Sequence, residues 1–216
     1  HHGYVARVKA AMAALGYDPE KLEILLLQMV SLFRDGKPVK MSKRTGQAIT
    51  LNELIEEVGA DAARYFFIMR SLDTQLDFDL DLAKSHSNEN PVYYIQYAHA
   101  RIYSIYRQVQ EAGDALDMNW ADVQWDKLKD EQELELIKKM AAFPEEIQRA
   151  ARERAPHRIA HFAHELAGLF HTFYNHCRII QEDKELEKAR LALVTAVRIT
   201  IANSLAILGV SAPEKM

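Results

Sequence analysis

The chain has 216 residues, 49% of them hydrophobic, with 8 Gly and 6 Pro. This composition packs a core and excludes a disordered or collagen-like polymer. A net charge of −4 argues against coating nucleic acid by bulk charge but leaves room for a local basic face. Apolar runs stay short of the ~20 residues of a bilayer span, and no basic segment leads into one, so neither a membrane span nor a secretory signal is expected. The single Cys177 makes no internal disulfide and no multi-thiolate zinc knot, which points to a reducing, cytoplasmic setting.

In chain order, Val5, Val8, Met12 and Leu15 recur at helical spacing ahead of Gly16, a suitable helix stop. The apolar run Leu22 to Phe33 reads as a buried strand. Asp35-Gly36 is a hairpin turn with Lys37-Pro38-Val39 returning. Thr50-Leu51-Asn52-Glu53 is a capping box, so a helix starts at Leu51 and stops near Gly59. A second starts at Asp61 and carries Ala62, Tyr65, Phe66 and Met69. Leu76 to Leu82 alternates with period two, as a short half-buried strand does.

From Ser87 onward the pattern is helical. Pro91 opens a helix through Tyr94, Tyr97, Arg101 and Ile105, ending by Gly113. Residues 114–126 read as a loop, 127–143 as a charged helix that Pro144 ends or kinks. Pro156 opens a long helix through Ile180, and Leu186 to Leu208 forms the last, stopped by Gly209. The expected class is mainly α: a helical bundle over 89–216, preceded over 1–88 by a small α/β segment.

Two regions carry chemistry. Lys37, Lys40, Lys43 and Arg44 crowd a loop between Gly36 and Gly46, with Ser42 as a further donor. Such cations can close on a polyphosphate and stabilise charge as it develops; a solvated basic turn is the alternative. Farther on, Ile159, Phe162, Ala163, Leu166, Phe170, Phe173 and Cys177 form one helical stripe, expected in the core. His157, His161, His164, Gly168, His171, Asn175 and Arg178 form another. Over residues 147–181, Arg149, Arg152, Arg154, Arg158 and Arg178 oppose Glu153 and Glu165, a local charge of +3.

The second stripe is a solvated face, an RNA face or, through His157 and His161, a metal site. Tyr174, Asn175 and Arg178 supply the stacking and hydrogen bonding that read single-stranded loops. Of Tyr93, Tyr94 and Tyr97, at least one is expected in the core, with base stacking as the other role. His99 and Arg101 join the two segments or touch RNA. Arg198, if buried, calls for a partner, and a structural ion pair is expected.

Lys40-Met41-Ser42-Lys43 resembles the second signature of class I aminoacyl-tRNA synthetases, with Arg44 where that family has Ser. The following Thr50 to Ile55 and Val58 to Phe67 are similar to the arginyl-tRNA synthetase stretch after that loop. Asn90 to Ile102 resembles the first helix of its anticodon-binding domain, and Ala202 to Met216 resembles its chain end. His1-His2-Gly3-Tyr4, which otherwise reads as a tag remnant, resembles the tail of a segment beside the family's adenylate site.

The resemblance covers essentially the whole chain and implies that 1–88 is the tail of a Rossmann-type catalytic domain and 89–216 an anticodon-binding domain. It implies ATP-dependent attachment of arginine to its tRNA through an arginyl-adenylate, with Mg2+ on the phosphates and no protein-bound metal. Lys40 and Lys43 would serve catalysis, His1, His2, Met41, Ser42 and Arg44 would bind ATP, and Tyr174, Asn175, Arg178 and Met216 would bind tRNA. No His-Ile-Gly-His-like first signature occurs, so a C-terminal fragment inactive by itself is expected, from a monomeric cytoplasmic enzyme. The competing readings are another class I synthetase of cysteinyl or methionyl type and a non-enzymatic tRNA-binding module.

Overall fold

Short helices and strands alternate at the start of the computed structural model, which describes residues 2–39, 49–113 and 119–216. After a 3-10 turn at His2–Tyr4, α1 (Val5–Ala14) runs to Gly16, which takes a φ of +82°. Its apolar stripe covers no core, for none of its residues is buried. The run from Leu22 is also not one buried strand: β1 spans only Val30–Arg34, while Leu25, Leu27 and Met29 lie exposed ahead of it.

Pairing explains this. Asp35 and Gly36, both at positive φ, turn the chain into β2 (Lys37–Pro38), antiparallel to β1, as hairpin twist requires. On its other edge β1 pairs in parallel with β3 (Leu76–Asp79), whose first residue faces Val30. Among the described residues the ladder has no strand to continue along before Val30.

The capping box forms as expected: Glu53 N–H donates to Thr50 Oγ1 at 3.2 Å and Thr50 N–H to Glu53 Oε2 at 2.7 Å, starting α2 (Leu51–Val58). Gly59 separates it from α3 (Ala60–Ile68). The alternating segment Leu76 to Leu82 is split. Asp79 accepts the Asp81 and Leu82 amides and so ends the strand and caps α4 (Leu80–Lys84).

Among the described residues five helices make the bundle: α5 (Pro91–Glu111), α6 (Glu131–Ala141), α7 (Phe143–Glu153), α8 (His157–His176) and α9 (Lys184–Leu208). The expected charged helix 127–143 is thus corrected at both ends. It begins only at the Asp130–Glu133 capping box, and Pro144 lies in the first turn of α7, where a missing N–H leaves no bond unmade. α8 stops four residues short of Ile180, because Cys177 turns to extended backbone.

The predicted core stripe of α8 is buried throughout, with Leu166, Phe170 and Phe173 fully so. α8 is packed by α5, α6, α7 and α9. α9 is long and apolar enough to cross a bilayer, yet Val194, Val197, Ile201 and Leu205 are spent inside the bundle. One cluster of buried side chains runs from Leu32 to Val210. Tyr65 bridges the two segments by donating its hydroxyl to the Ala160 carbonyl at 3.0 Å, and burial pushes its pKa well up.

Candidate nucleic-acid interface

Asn90 starts α5 by accepting the Val92 and Tyr93 amides while its own amide holds the Ala83 and Ser85 carbonyls. With that start fixed, Val92, Ile95, Ile102 and Ile105 turn inward. Tyr93, Tyr97 and Arg101, four residues apart, line one flank at half burial. Tyr94 packs against the core cluster at half burial, as expected of at least one of the three, whereas Tyr93 and Tyr97 stay in a ladder of rings at the bundle surface.

His86 stacks on Tyr93 with ring centroids 5.6 Å apart, and Tyr93 on Tyr97 at 6.0 Å, with planes within 9°. The Arg101 guanidinium then lies between two aromatic rings, 4.5 Å from the Tyr97 centroid and 4.8 Å from that of Tyr174 on α8. It also donates to the Tyr97 hydroxyl at 2.9 Å and meets His171 Nδ1 at 3.3 Å.

Arg101 is donor only, so His171 Nδ1 accepts, and Nε2–H donates to the Tyr94 carbonyl at 3.4 Å. Burial, against the pull of the Tyr94 carbonyl and aided by the Arg101 charge, brings the His171 pKa down to about 4. The imidazole is neutral at pH 7 and holds one tautomer.

Below Arg101 the end of α8 opens a groove of about 520 Å3 lined by Ile105 and Gln108 of α5 and by Tyr174 to Ile180. Asn175 and Arg178 are exposed in it. The structure therefore brings Tyr174, Asn175 and Arg178 together as the sequence suggests. Met216 lies elsewhere, 53% exposed in a second groove beside Tyr93, Gln96 and Asp61, at the opposite end of the ladder. Tail anchors hold it there. Ser211 N–H and hydroxyl donate to Asp61, Gln96 reaches Asp61 and the Ser211 carbonyl, and His99 Nδ1 donates to the Pro213 carbonyl at 2.8 Å.

His99 thus ties α5 to the chain end, and burial lowers its pKa. His2 sits exposed in the first 3-10 turn. Lys40, Met41, Ser42, Lys43, Arg44 and His1 lie outside the described residues.

The histidine stripe divides. His161 Nε2 meets the Met69 carbonyl at 3.0 Å, His164 packs on Tyr94, and His171 is buried. Among the described residues no group of His, Cys, Asp and Glu gathers that could hold a metal. Most of the local basic excess is paired: Arg149 with Glu153, Arg154 with Glu23, and Arg158 with Glu146 and Glu153. Arg198 finds the hydroxyl and ring of Tyr103 rather than the expected carboxylate. Sequence reasoning missed Arg101 as the centre of the strip; its signal is the Tyr93-Tyr97-Arg101 spacing, which marks one face without naming what covers it.

Residues 95–216 match the family model of the DALR anticodon binding domain. Over the whole chain, the arginine–tRNA ligase of Carboxydothermus hydrogenoformans is 61% identical and that of Desulforudis audaxviator 57%. The chain spans 39% and 38% of the length of these curated relatives. A Campylobacter jejuni structure assigned as an arginyl-tRNA synthetase superposes over 100% of this chain and 46% of its own, with a TM-score of 0.87 at 36% identity. The Thermus thermophilus arginyl-tRNA synthetase covers 98% of this chain and 39% of its own, with a TM-score of 0.77 at 27% identity.

Proposed function

This chain belongs to the DALR anticodon-binding domain family, and on that premise we propose that it takes up the anticodon loop of arginine tRNA as part of an arginine–tRNA ligase. Residues 89–216 are the binding bundle and 1–88 the tail of the catalytic domain. The Arg101 guanidinium held between Tyr97 and Tyr174 is the observation that supports this most. Single-stranded loops are read by stacking bases on aromatic and guanidinium planes and by hydrogen bonds to their edges. Within the ladder the faces of Tyr93, Tyr97 and Arg101 are covered by one another, so bases would stack at its ends, on His86 and Tyr174, with edge partners at Asn175 and Arg178. From Tyr93 to Gln108, 15 residues at ~1.5 Å each give about 22 Å, a run of roughly six nucleotides at ~3.4 Å.

In the whole enzyme, arginine is attached to tRNA through an arginyl-adenylate, with ATP arriving as its Mg2+ complex. Lys40 and Lys43 stabilise the charge that develops on the phosphates. Met41, Ser42, Arg44, His1 and His2 complete the ATP contacts. The enzyme is a cytoplasmic monomer, and the 216-residue chain by itself does not activate arginine. Arginine-dependent ATP–pyrophosphate exchange by this chain with tRNA present would refute that last point.

Filter binding tests the RNA reading. Arginine tRNA should bind more tightly than a version mutated in the anticodon, and Arg178→Ala should remove about tenfold of that affinity, the size of one base contact. Equal binding of both tRNAs refutes anticodon recognition.

A further inference from the structure

The connection from α8 to α9 presents Arg178 outward on a backbone that α9 holds from behind. Its side chains alternate, with Cys177 and Ile179 buried and Arg178 exposed between them. Two residues one turn apart on α9 take the backbone. Gln181 N–H donates to Glu187 Oε2 at 2.8 Å, and Arg190 Nη1 donates to the Arg178 carbonyl at 2.7 Å.

Arg190 is in turn fixed by α6. Its Nε donates to Glu133 Oε1 at 2.6 Å, and its Nη2 lies 3.7 Å from Asp130 Oδ2. Glu133 Oε2 accepts the Asp130 amide at 2.9 Å, so the α6 cap orients the carboxylate. Glu133 is 1% exposed and Arg190 8%. Two apolar side chains of similar volume would fill this space without the cost of desolvating charges, so packing alone does not account for the pair. A guanidinium does what apolar or lysine side chains do not: its planar fork holds a carboxylate and a carbonyl at once.

We propose that Arg190, clamped by Glu133, is a positioning residue for nucleic-acid recognition, fixing the Arg178 carbonyl and so the direction in which Arg178 and its neighbour Asn175 leave the protein. This role rests on Arg178 contacting RNA, and it adds how that contact is preorganised. A double-mutant cycle tests it, pairing the joint substitution E133M and R190M with Arg178→Ala. Binding of arginine tRNA and thermal unfolding are read on each form of the chain.

The apolar pair leaves the Arg178 carbonyl and the Asp130 amide without these partners, so it should unfold somewhat below the parental temperature, and it should bind about tenfold more weakly. Arg178→Ala should lose as much by itself, and the combined variant no more than Arg178→Ala alone. A purely structural role would give losses that multiply; that result, or parental affinity in the apolar pair, overturns the positioning role while the Arg178 contact stands. A silent Arg178→Ala overturns the contact and the positioning role together. Should the apolar pair fail to fold, Arg190→Lys keeps charge beside Glu133 without the fork and enters the same cycle with the same expectations.

Discussion

Lowering the pH should destabilise this fold through His171. Its ring is buried between Tyr94, Tyr97 and Phe170, with the Arg101 guanidinium on Nδ1. In the unfolded chain the imidazole takes a proton near pH 6.5, whereas in the fold it does so only at about 4. Between these values the unfolded state binds more protons, so stability is full above pH 6.5 and falls as the pH drops toward 4. From pH 7.5 to 4.5 the loss attributable to this group is about 2.5 kcal/mol.

Burial also lowers the pKa of His99, His157 and His164, which act in the same direction, so the parental curve alone does not isolate His171. A His171→Gln variant keeps a donor and an acceptor at the site without a titrating proton. Urea unfolding of both at pH 7.5 and 4.5 gives the comparison: the variant should lose about 2.5 kcal/mol less than the parent. Equal losses would mean that His171 titrates normally, and the neutral acceptor assigned to it beside Arg101 would be wrong.

Phe170→Ala, at a fully buried position on α8, should cost about 3–5 kcal/mol in urea unfolding. Leu27→Ser and Met29→Ser, on side chains 69% and 82% exposed, should stay within about 0.5 kcal/mol of the parent and reduce self-association by light scattering. Gly36→Val places a β-branched residue at a φ of +69° and should destabilise the β1–β2 hairpin by about 1–3 kcal/mol, read as faster amide exchange there.

Local signals survived into the structure wherever a short-range hydrogen bond backs them. The Thr50–Glu53 box, the Asp35-Gly36 turn and the core stripe of α8 were all legible, since neighbours within four residues decide them. Elements that depend on a distant partner were not. Leu22 to Met29 is apolar enough for a strand, but among the described residues its pairing before Val30 goes no further than Gln28 N–H on the Leu72 carbonyl. Pro144 is as compatible with starting a helix as with ending one, and the Asp130 cap upstream decides where α6 begins. The site divides likewise. Tyr174, Asn175 and Arg178 were visible as one helix end, whereas the Tyr97–Arg101–Tyr174 sandwich joins residues 73 positions apart in the chain. The histidine periodicity gave no sign that His171 turns inward while its neighbours stay near the surface, because spacing alone does not reveal which side of a stripe another helix covers.

If the proposed function holds, a chain of net charge −4 must place its affinity for a polyanion in particular contacts rather than in its overall field. The arrangement of its arginines fits that demand. Arg149, Arg154 and Arg158 are paired with Glu153, Glu23 and Glu146, which reduces a broad attraction for any nucleic acid. Arg101 is held by rings and a neutral imidazole instead, so its charge is oriented without being cancelled. Arg178 projects from a backbone gripped by Arg190. The Arg101 cation is thus ordered before any ligand arrives, and less side-chain entropy is lost there on binding. On the proposed function, discrimination would rest on stacking and on hydrogen bonds at base edges, which fail when a base changes, rather than on phosphate charge, which every nucleic acid shares.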